Sequence, residues 1–289
     1  MSNYTLQNDV APDKEIQRLD DLHDCITRYL GGRLSFAPLE TLSPSSILEV
    51  GSGSGAWAIQ AAKQFPTARV TAADMADLPD RVLPPNLVFE KMDLTAPLPF
   101  KPESFDIIHA RLVIMHLPHG MDMLRQVAKY VKPGGWLLME EPDDDCFWDN
   151  GGPPGPNLQA LLTAWHRSMR DREAEPCIGR MLASELRGLG TFAEVNSYYV
   201  DIPLSNQSSS KDTLSSHHLH FTDDSRGVSS ENQLGECWQR TIKSIIPIIR
   251  PRVFKYGITD EVLGGVLEEL GDPEKRLTTR MYFTWSQKL

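Results

Sequence analysis

Four cysteines are scattered along 289 residues, Cys25, Cys146, Cys177 and Cys237, and none is paired at C-x-x-C spacing. Neither a disulfide framework nor a cysteine-built metal knot is indicated, and the thiols read as the reduced thiols of an intracellular protein. Positive charge is scarce: 29 Lys+Arg against 39 Asp+Glu leave a net charge of −10. That balance argues against a nucleic-acid partner, because phosphates favour basic surfaces. No run approaches the roughly 18 apolar residues of a membrane span. Met1 is followed by Ser2-Asn3-Tyr4-Thr5, not by a basic stretch and an apolar core. No ordinary signal peptide is therefore expected, and the location is read as cytoplasmic, without a membrane partner. Internal repeats are missing too. The length suits one large domain, or one domain with a sizeable insertion.

The chain is organised around Ile47 to Ala61, ILEVGSGSGAWAIQA. Ile47, Leu48 and Val50 form an apolar run that reads as a buried strand. It breaks into Gly51-Ser52-Gly53-Ser54-Gly55, and Ala56, Trp57, Ile59, Ala61 and Ala62 then resume at helical spacing. Strand, glycine loop and helix open a nucleotide-binding α/β unit, with the first helical N–H groups aimed at the ligand. Two readings compete. Gly51, Gly53 and Ala56 fit the dinucleotide pattern G-x-G-x-x-A. Glu49, Gly51, Gly53 and Gly55 fit E-x-G-x-G-x-G, the signature of class I S-adenosylmethionine (SAM) methyltransferases.

Along the chain, Asp13 to Leu30 reads as an amphipathic helix stopped by Gly31-Gly32. Strands are expected at Ala68–Ala73, Asn86–Lys91, Ser104–Ala110 and Trp136–Glu140, with a helix from Met121 to Val131 and a turn at Pro133-Gly134-Gly135. Asp74, ending the second strand, can accept from two ribose hydroxyls or be a solvated loop aspartate. Asp93 follows the third strand, where an aspartate can hold an adenine amino group. The second half opens on the breaker-rich Gly151–Pro156. Helices are expected at Leu158–Arg172, Arg180–Leu189, Cys237–Ile249 (interrupted at Pro247) and Thr259–Leu270. Strands are expected at Phe192–Leu204 and Leu277–Ser286, and Ser205–Ser230 reads as a serine-rich loop. Alternating strands and helices imply a doubly wound, mostly parallel sheet of seven strands, with an antiparallel last strand and a helical cap. The expected divisions are a helical lid over 1–40, a ligand-binding core over 41–150, a cap over 151–276 that includes strand 190–204, and a final strand over 277–289.

The order E-x-G-x-G-x-G, acidic strand end, second aspartate, FDIIHAR and Lys132-Pro133-Gly134-Gly135 resembles a class I SAM methyltransferase. The leader from Tyr4 through Arg33-Leu34-x-Phe36-Ala37-Pro38-Leu39, the run GSGSGAWAIQAAKQFP and the closing LTTRMYFTWSQK resemble fungal LaeA-type (UMTA-type) members. The resemblance implies SAM as cofactor, S-adenosylhomocysteine (SAH) as product, and a small-molecule acceptor, in many relatives one of secondary metabolism. It also implies the site. Gly51, Ser52, Gly53 and Gly55 lie under the methionine part, with Glu49 near its amino group. Asp74 holds the ribose, Met75 packs on the adenine, and Asp93 and Leu94 meet its edge. Ala110 and Arg111 line the sulfonium end, and Tyr4 and Arg18 belong to the lid. Two rival readings stay open: a regulatory protein acting through protein partners, and an enzyme using the pocket for different chemistry.

Methyl transfer from a sulfonium needs a positioned nucleophile, excluded water and, for some acceptors, a base. His116, in MHLPH after the fourth strand, is the candidate base, since a neutral imidazole suits proton removal; the alternative is a packing or capping histidine. Met115, His116, Trp148, Trp165, His166 and Trp285 are the acceptor-wall candidates, although aromatics at such spacing are often core. His23 and His109 read as structural. Asp143-Asp144-Asp145 and His217-His218-x-His220 show no metal-ligand spacing, and no metal is expected. The basic stretch Arg240–Lys255 is either a plain helix surface or an attractor of an anionic substrate.

Overall fold

The apolar run around Ile47 forms the central strand, β1 (Ser46–Val50), and its fully buried Ile47, Leu48 and Val50 are what a strand covered on both faces requires. The computed structural model describes residues 12–148, 152–204, 228–272 and 277–289. Around β1 stand β2 (Arg69–Asp74), β3 (Leu87–Lys91), β4 (Phe105–Arg111), β5 (Val131–Trp148), β6 (Phe192–Pro203) and β7 (Leu277–Lys288). The seven strands form one sheet in the order β3-β2-β1-β4-β5-β7-β6. The first five pair in parallel, and β7 runs antiparallel between β5 and β6. This is the doubly wound, mostly parallel α/β sheet that the sequence leads one to expect.

The helices are α1 (Pro12–Tyr29), α2 (Ala56–Gln64), α3 (Gly120–Tyr130), α4 (Pro156–Arg170), α5 (Leu182–Leu189), α6 (Val228–Val253) and α7 (Asp260–Gly271). α2 packs on β2 and β3, and α5 on β6 and β7. α1 lies on α6, and α4 on α6 and α7, so these four form the helical layer that meets the carboxyl end of the sheet. Thr259 caps α7 by accepting from the Val262 N–H, as a threonine before a helix is suited to do.

Two elements differ from their sequence reading. β5 does not stop at Glu140 but runs on to Trp148, because the antiparallel β7 supplies hydrogen-bond partners all the way to the Trp148–Leu277 pair. The extension carries an irregularity: Asp143 pairs with Arg280 and Cys146 with the next residue back, Thr279, leaving Asp144 and Asp145 out of register. α6 is not interrupted at Pro247 and starts earlier than expected, at Val228, with Pro247 and Pro251 both inside it. A helix-interior proline costs about 3 kcal/mol. Burial of Leu234, Cys237, Trp238, Ile246, Ile248, Ile249 and Val253 offsets that cost through tertiary packing.

Trp285, an acceptor-wall candidate in the sequence, belongs to a core cluster. Its ring centroid lies 5.8 Å from that of Phe36, which also meets Phe283 at 5.2 Å and Tyr198 at 5.3 Å. On β7 it pairs with Leu138, well before the carboxyl end of β5.

Candidate active site

The glycine loop follows from β1 and has to leave it abruptly. Gly51, Gly53 and Gly55 adopt φ of +71°, +52° and +78°, a region that side chains with a Cβ rarely enter. At Gly51 space is limiting as well, since a Cβ there would sit 2.2 Å from Val113 Cγ2. The Asp74 carboxylate closes the loop from below: Oδ2 accepts from the Gly53 N–H at 2.8 Å and Oδ1 from the Ala76 N–H at 2.9 Å. Burial raises its pKa, and those backbone donors work against the rise.

Above the loop lies a cavity of about 560 Å³. Its polar end is walled by Glu49, Gly51, Ser52, Gly53, Asp74 and Ala76–Pro79, and α1 roofs it through Glu15 to Leu19. The Ser52 hydroxyl is buried there with no hydrogen-bond partner among the described residues. The other end is apolar: Leu158, Leu161, Leu162 and Trp165 from α4 face Trp238, Ile242, Ile245, Ile246 and Ile249 from α6. The turn after β4, Arg111 to His116, joins the two ends. Glu141 holds that turn, with Oε1 accepting from both the Val113 and Ile114 N–H groups at 2.8 Å.

Buried charge lines the cavity floor. Glu49 accepts from the Ala58 N–H at 3.0 Å, so it caps α2, and burial pushes its pKa up to about 8. The Arg111 Nε donates to Glu140 at 2.5 Å, and its Nη1 donates to His23 Nδ1 at 3.3 Å. Burial and then Arg111 lower His23 to about 4, so its ring is neutral and free to accept. His23, read as structural in the sequence, is therefore on the cavity wall. His109 is structural: it is fully buried and stacks on Trp57 at 3.9 Å. His116 lines the cavity. Burial, then Arg18, Arg172 and Arg252, hold it at about 3, a neutral imidazole with little basicity.

The structure sorts the remaining candidates. Arg18, Glu49, Gly51, Ser52, Gly53, Asp74, Arg111, Met115 and His116 share the cavity wall. Gly55 lies beneath Leu78 and starts α2, and Met75 and Leu94 pack into the core behind the wall. Ala110 is sealed within β4. Asp93 is exposed and folds onto its own turn, accepting from the Thr95 N–H at 2.9 Å and hydroxyl at 2.7 Å. His166 is not on the wall but behind it, its Nε2 donating to the Asp144 carbonyl at 2.5 Å. Tyr4 and His217, His218 and His220 lie outside the described residues, as does the Trp148 side chain. In the basic stretch, α6 turns its apolar residues to the cavity, while Arg250 pairs outside with Asp260 at 2.7 Å.

Sequence reasoning named Trp165 on α4 and missed three groups: the segment Ala76–Pro79, the remaining apolar residues of α4 and α6, and Asp144. The first follows directly on the acidic strand end, and the second shows as i, i+3, i+4 spacing in Leu158–Leu161–Leu162 and Ile242–Ile245–Ile246. Asp144 gave no such signal within an acidic run. Asp144 lines the apolar end; its carboxylate shares a side-chain hydrogen bond with Trp165, and its buried Oδ2 has no hydrogen-bond partner among the described residues and lies 3.9 Å from His166 Nε2. Burial lifts its pKa to about 6 against the pull of His166. Behind it, Asp145, His166 and Cys177 bring donor atoms within 4.8 Å of one another, but Asp145 already receives Arg180 Nη2 at 2.8 Å and the Cys177 thiol at 3.4 Å.

A family profile described as "Methyltransferase domain" matches residues 22–188. Methyltransferase str3 of Strobilurus tenacellus is 42% identical over 195 residues, 68% of this chain and 69% of that protein. The secondary metabolism regulator LAE1 of Cochliobolus heterostrophus is 26% identical over 197 residues, 66% of this chain and 63% of that protein. Among solved structures, Haemonchus contortus phosphoethanolamine N-methyltransferase 2 in complex with SAM superposes with a TM-score of 0.50 at 14% identity. The match covers 93% of this chain and 52% of that one, and it speaks for the fold alone.

Proposed function

The chain belongs to the class I SAM-dependent methyltransferases, and from that premise we propose that it methylates a small, largely apolar acceptor in fungal secondary metabolism. The observation that carries the reading is the single cavity, continuous from the glycine loop and Asp74 to the apolar faces of α4 and α6. One end offers what a polar cofactor needs and the other what an apolar acceptor needs, side by side in one enclosure.

The residues at the polar end suit SAM. Gly51, Gly53 and Asp74 line the cavity, and the buried Ser52 hydroxyl has no hydrogen-bond partner among the described residues. SAM, when bound, supplies a methyl group already activated on a positive sulfonium. Asp74 would hold the ribose hydroxyls, Ala76 to Pro79 would flank the adenine, and Glu49 would face the amino group. Gly51, Ser52 and Gly53 would leave room for the methionine part, and Arg18 on α1 would close the roof. Arg111, tied to Glu140, would fix the turn that carries Met115 and His116 to the acceptor. No helix among the described residues is long and apolar enough to cross a membrane.

Calorimetric titration with SAM, SAH and NAD tests the reading. Binding of SAM and SAH without NAD is the expected result, and steady SAH release with a metabolite extract should follow. NAD binding with no response to SAM sinks the assignment. SAM binding without turnover, together with a co-purifying protein that requires the SAM-loaded form, would favour the regulatory reading that the LAE1 likeness raises.

A further inference from the structure

The strand irregularity in β5 does something specific to two acidic residues. In regular pairing Asp144 and Asp145 would follow the alternation of the strand, but here neither has a partner on β7. Such bulges re-aim side chains beside active sites. Three backbone groups of the bulge are engaged: the Asp144 N–H donates to the Pro176 carbonyl at 2.9 Å, its carbonyl accepts from His166, and the Asp145 carbonyl accepts from the Thr279 hydroxyl at 2.9 Å. Asp145 is turned toward Arg180 and Cys177. Asp144 is turned onto the wall of the cavity, at the end formed by Leu158, Leu161, Leu162 and Trp165.

The charges around it decide what that end can hold. Both lining arginines are held in ion pairs, Arg18 with Glu15 at 2.5 Å and Arg111 with Glu140, although Arg111 Nη2 has no hydrogen-bond partner among the described residues. The lining histidines, His23 and His116, are neutral at ordinary pH. The titratable groups that Asp144 faces are His166 on α4 and Asp145 on its own strand, and Trp165 on α4 shares a side-chain hydrogen bond with it. An anionic acceptor would meet a carboxylate and only cations already held in ion pairs, which is costly against an apolar wall. A neutral O–H or N–H would instead give the Asp144 oxygen a charge-assisted hydrogen bond.

We propose that Asp144 sets the acceptor class: an apolar molecule that is neutral when bound and presents an O–H or N–H donor to this carboxylate, not a free carboxylate. The inference rests on the methyltransferase reading above and names the acceptor end of the same cavity.

The test titrates SAH-loaded protein with naphthol, methoxynaphthalene and naphthoate at neutral pH. Naphthol should bind roughly tenfold to a hundredfold tighter than methoxynaphthalene, the worth of one charge-assisted bond, and naphthoate should bind least. Asp144→Asn, which keeps a neutral acceptor, should narrow the preference for naphthol and raise naphthoate binding about tenfold, and Asp144→Leu, which cannot accept, should erase the preference, with SAH affinity as in the parent. Asp144→Glu should keep the parental order. The inference is overturned if naphthoate binds as well as naphthol in the parent, if no probe binds, or if Asp144→Leu leaves the preference for naphthol intact. Failure of SAH itself to bind is a different result, and it brings down the cofactor reading first.

Discussion

The Gly53 N–H donates to Asp74 Oδ2 at 2.8 Å, so the carboxylate expected to hold a ribose is also the tie that fixes the glycine loop. Removing it acts twice. Asp74→Ala should weaken SAM binding strongly and should also loosen the loop, because the Gly53 and Ala76 N–H groups lose a charged acceptor worth about 1.5–3 kcal/mol per bond. Asp74→Asn, which can still accept from one of them, should lie between parent and Ala. Calorimetry and a thermal melt check both effects. An unchanged dissociation constant in Asp74→Ala would show that Asp74 only shapes the loop.

Gly51 and Val113 are in closer contact than any side chain at Gly51 permits, and Val113 cannot retreat because Glu141 holds its N–H at 2.8 Å. Gly51→Ala should therefore cost roughly 2–5 kcal/mol, combining left-handed strain with overpacking. Gly134→Ala provides the comparison: φ is +75°, but nothing lies within 4 Å, so strain alone remains. Urea denaturation of the two variants should show a clear gap, and equal losses would mean that Val113 yields.

The aromatic cluster of Phe36, Phe283, Tyr198 and Trp285 joins the connector after α1 to the antiparallel strands. Phe36→Ala should cost roughly 3–5 kcal/mol. Trp285→Phe should lower stability by less and leave acceptor preference alone. A shift in acceptor preference in Trp285→Phe, measured at saturating SAM, would return Trp285 to the acceptor wall.

Glu141 predicts a pH dependence. Burial raises its pKa to about 8 despite the Val113, Ile114 and Met115 N–H groups, and the neighbouring Glu140 adds to the rise. In the unfolded chain the same group loses its proton near pH ~4.3. Between those values the folded state holds a proton that the unfolded state lacks, so this contribution makes stability fall as pH rises through the window. Glu49, raised to about 8 by burial, acts in the same direction. Glu141→Gln keeps an acceptor for the two N–H groups and cannot ionise. Its thermal midpoint should decline less steeply across that window than the parent's, and parallel slopes would exclude Glu141 as a source.

α6 is expected to govern the acceptor, not the cofactor. Ile245→Ala, which enlarges the apolar end without touching the glycine loop, should leave SAM affinity within about twofold and change which acceptors are turned over. Loss of SAM affinity instead would place the cofactor against α6. Of the segment Ser205–Ser230, read as a serine-rich loop, residues 205–227 lie outside the described residues and 228–230 open α6.

Much of this protein was written locally in the chain. The run ILEV, the three glycines and Asp74 specify a strand, a turn open to a ligand and an acidic strand end, because each depends only on near neighbours and backbone sterics. The order of five strands in the first half and two in the second was legible in the same way. What the sequence could not decide was where distant segments meet. Asp143-Asp144-Asp145 reads as a solvated acidic run until β7 pairs with β5 and its Thr279, 136 positions from Asp143, fixes the bulge. His166 and Trp285 have the composition of pocket residues, yet register sends one behind the wall and the other into the core. Pro247 argues for a break in α6 that burial of the surrounding isoleucines overrides. Local sterics determined the elements and the cofactor loop, whereas long-range strand register and helix packing decided which side chains face the acceptor.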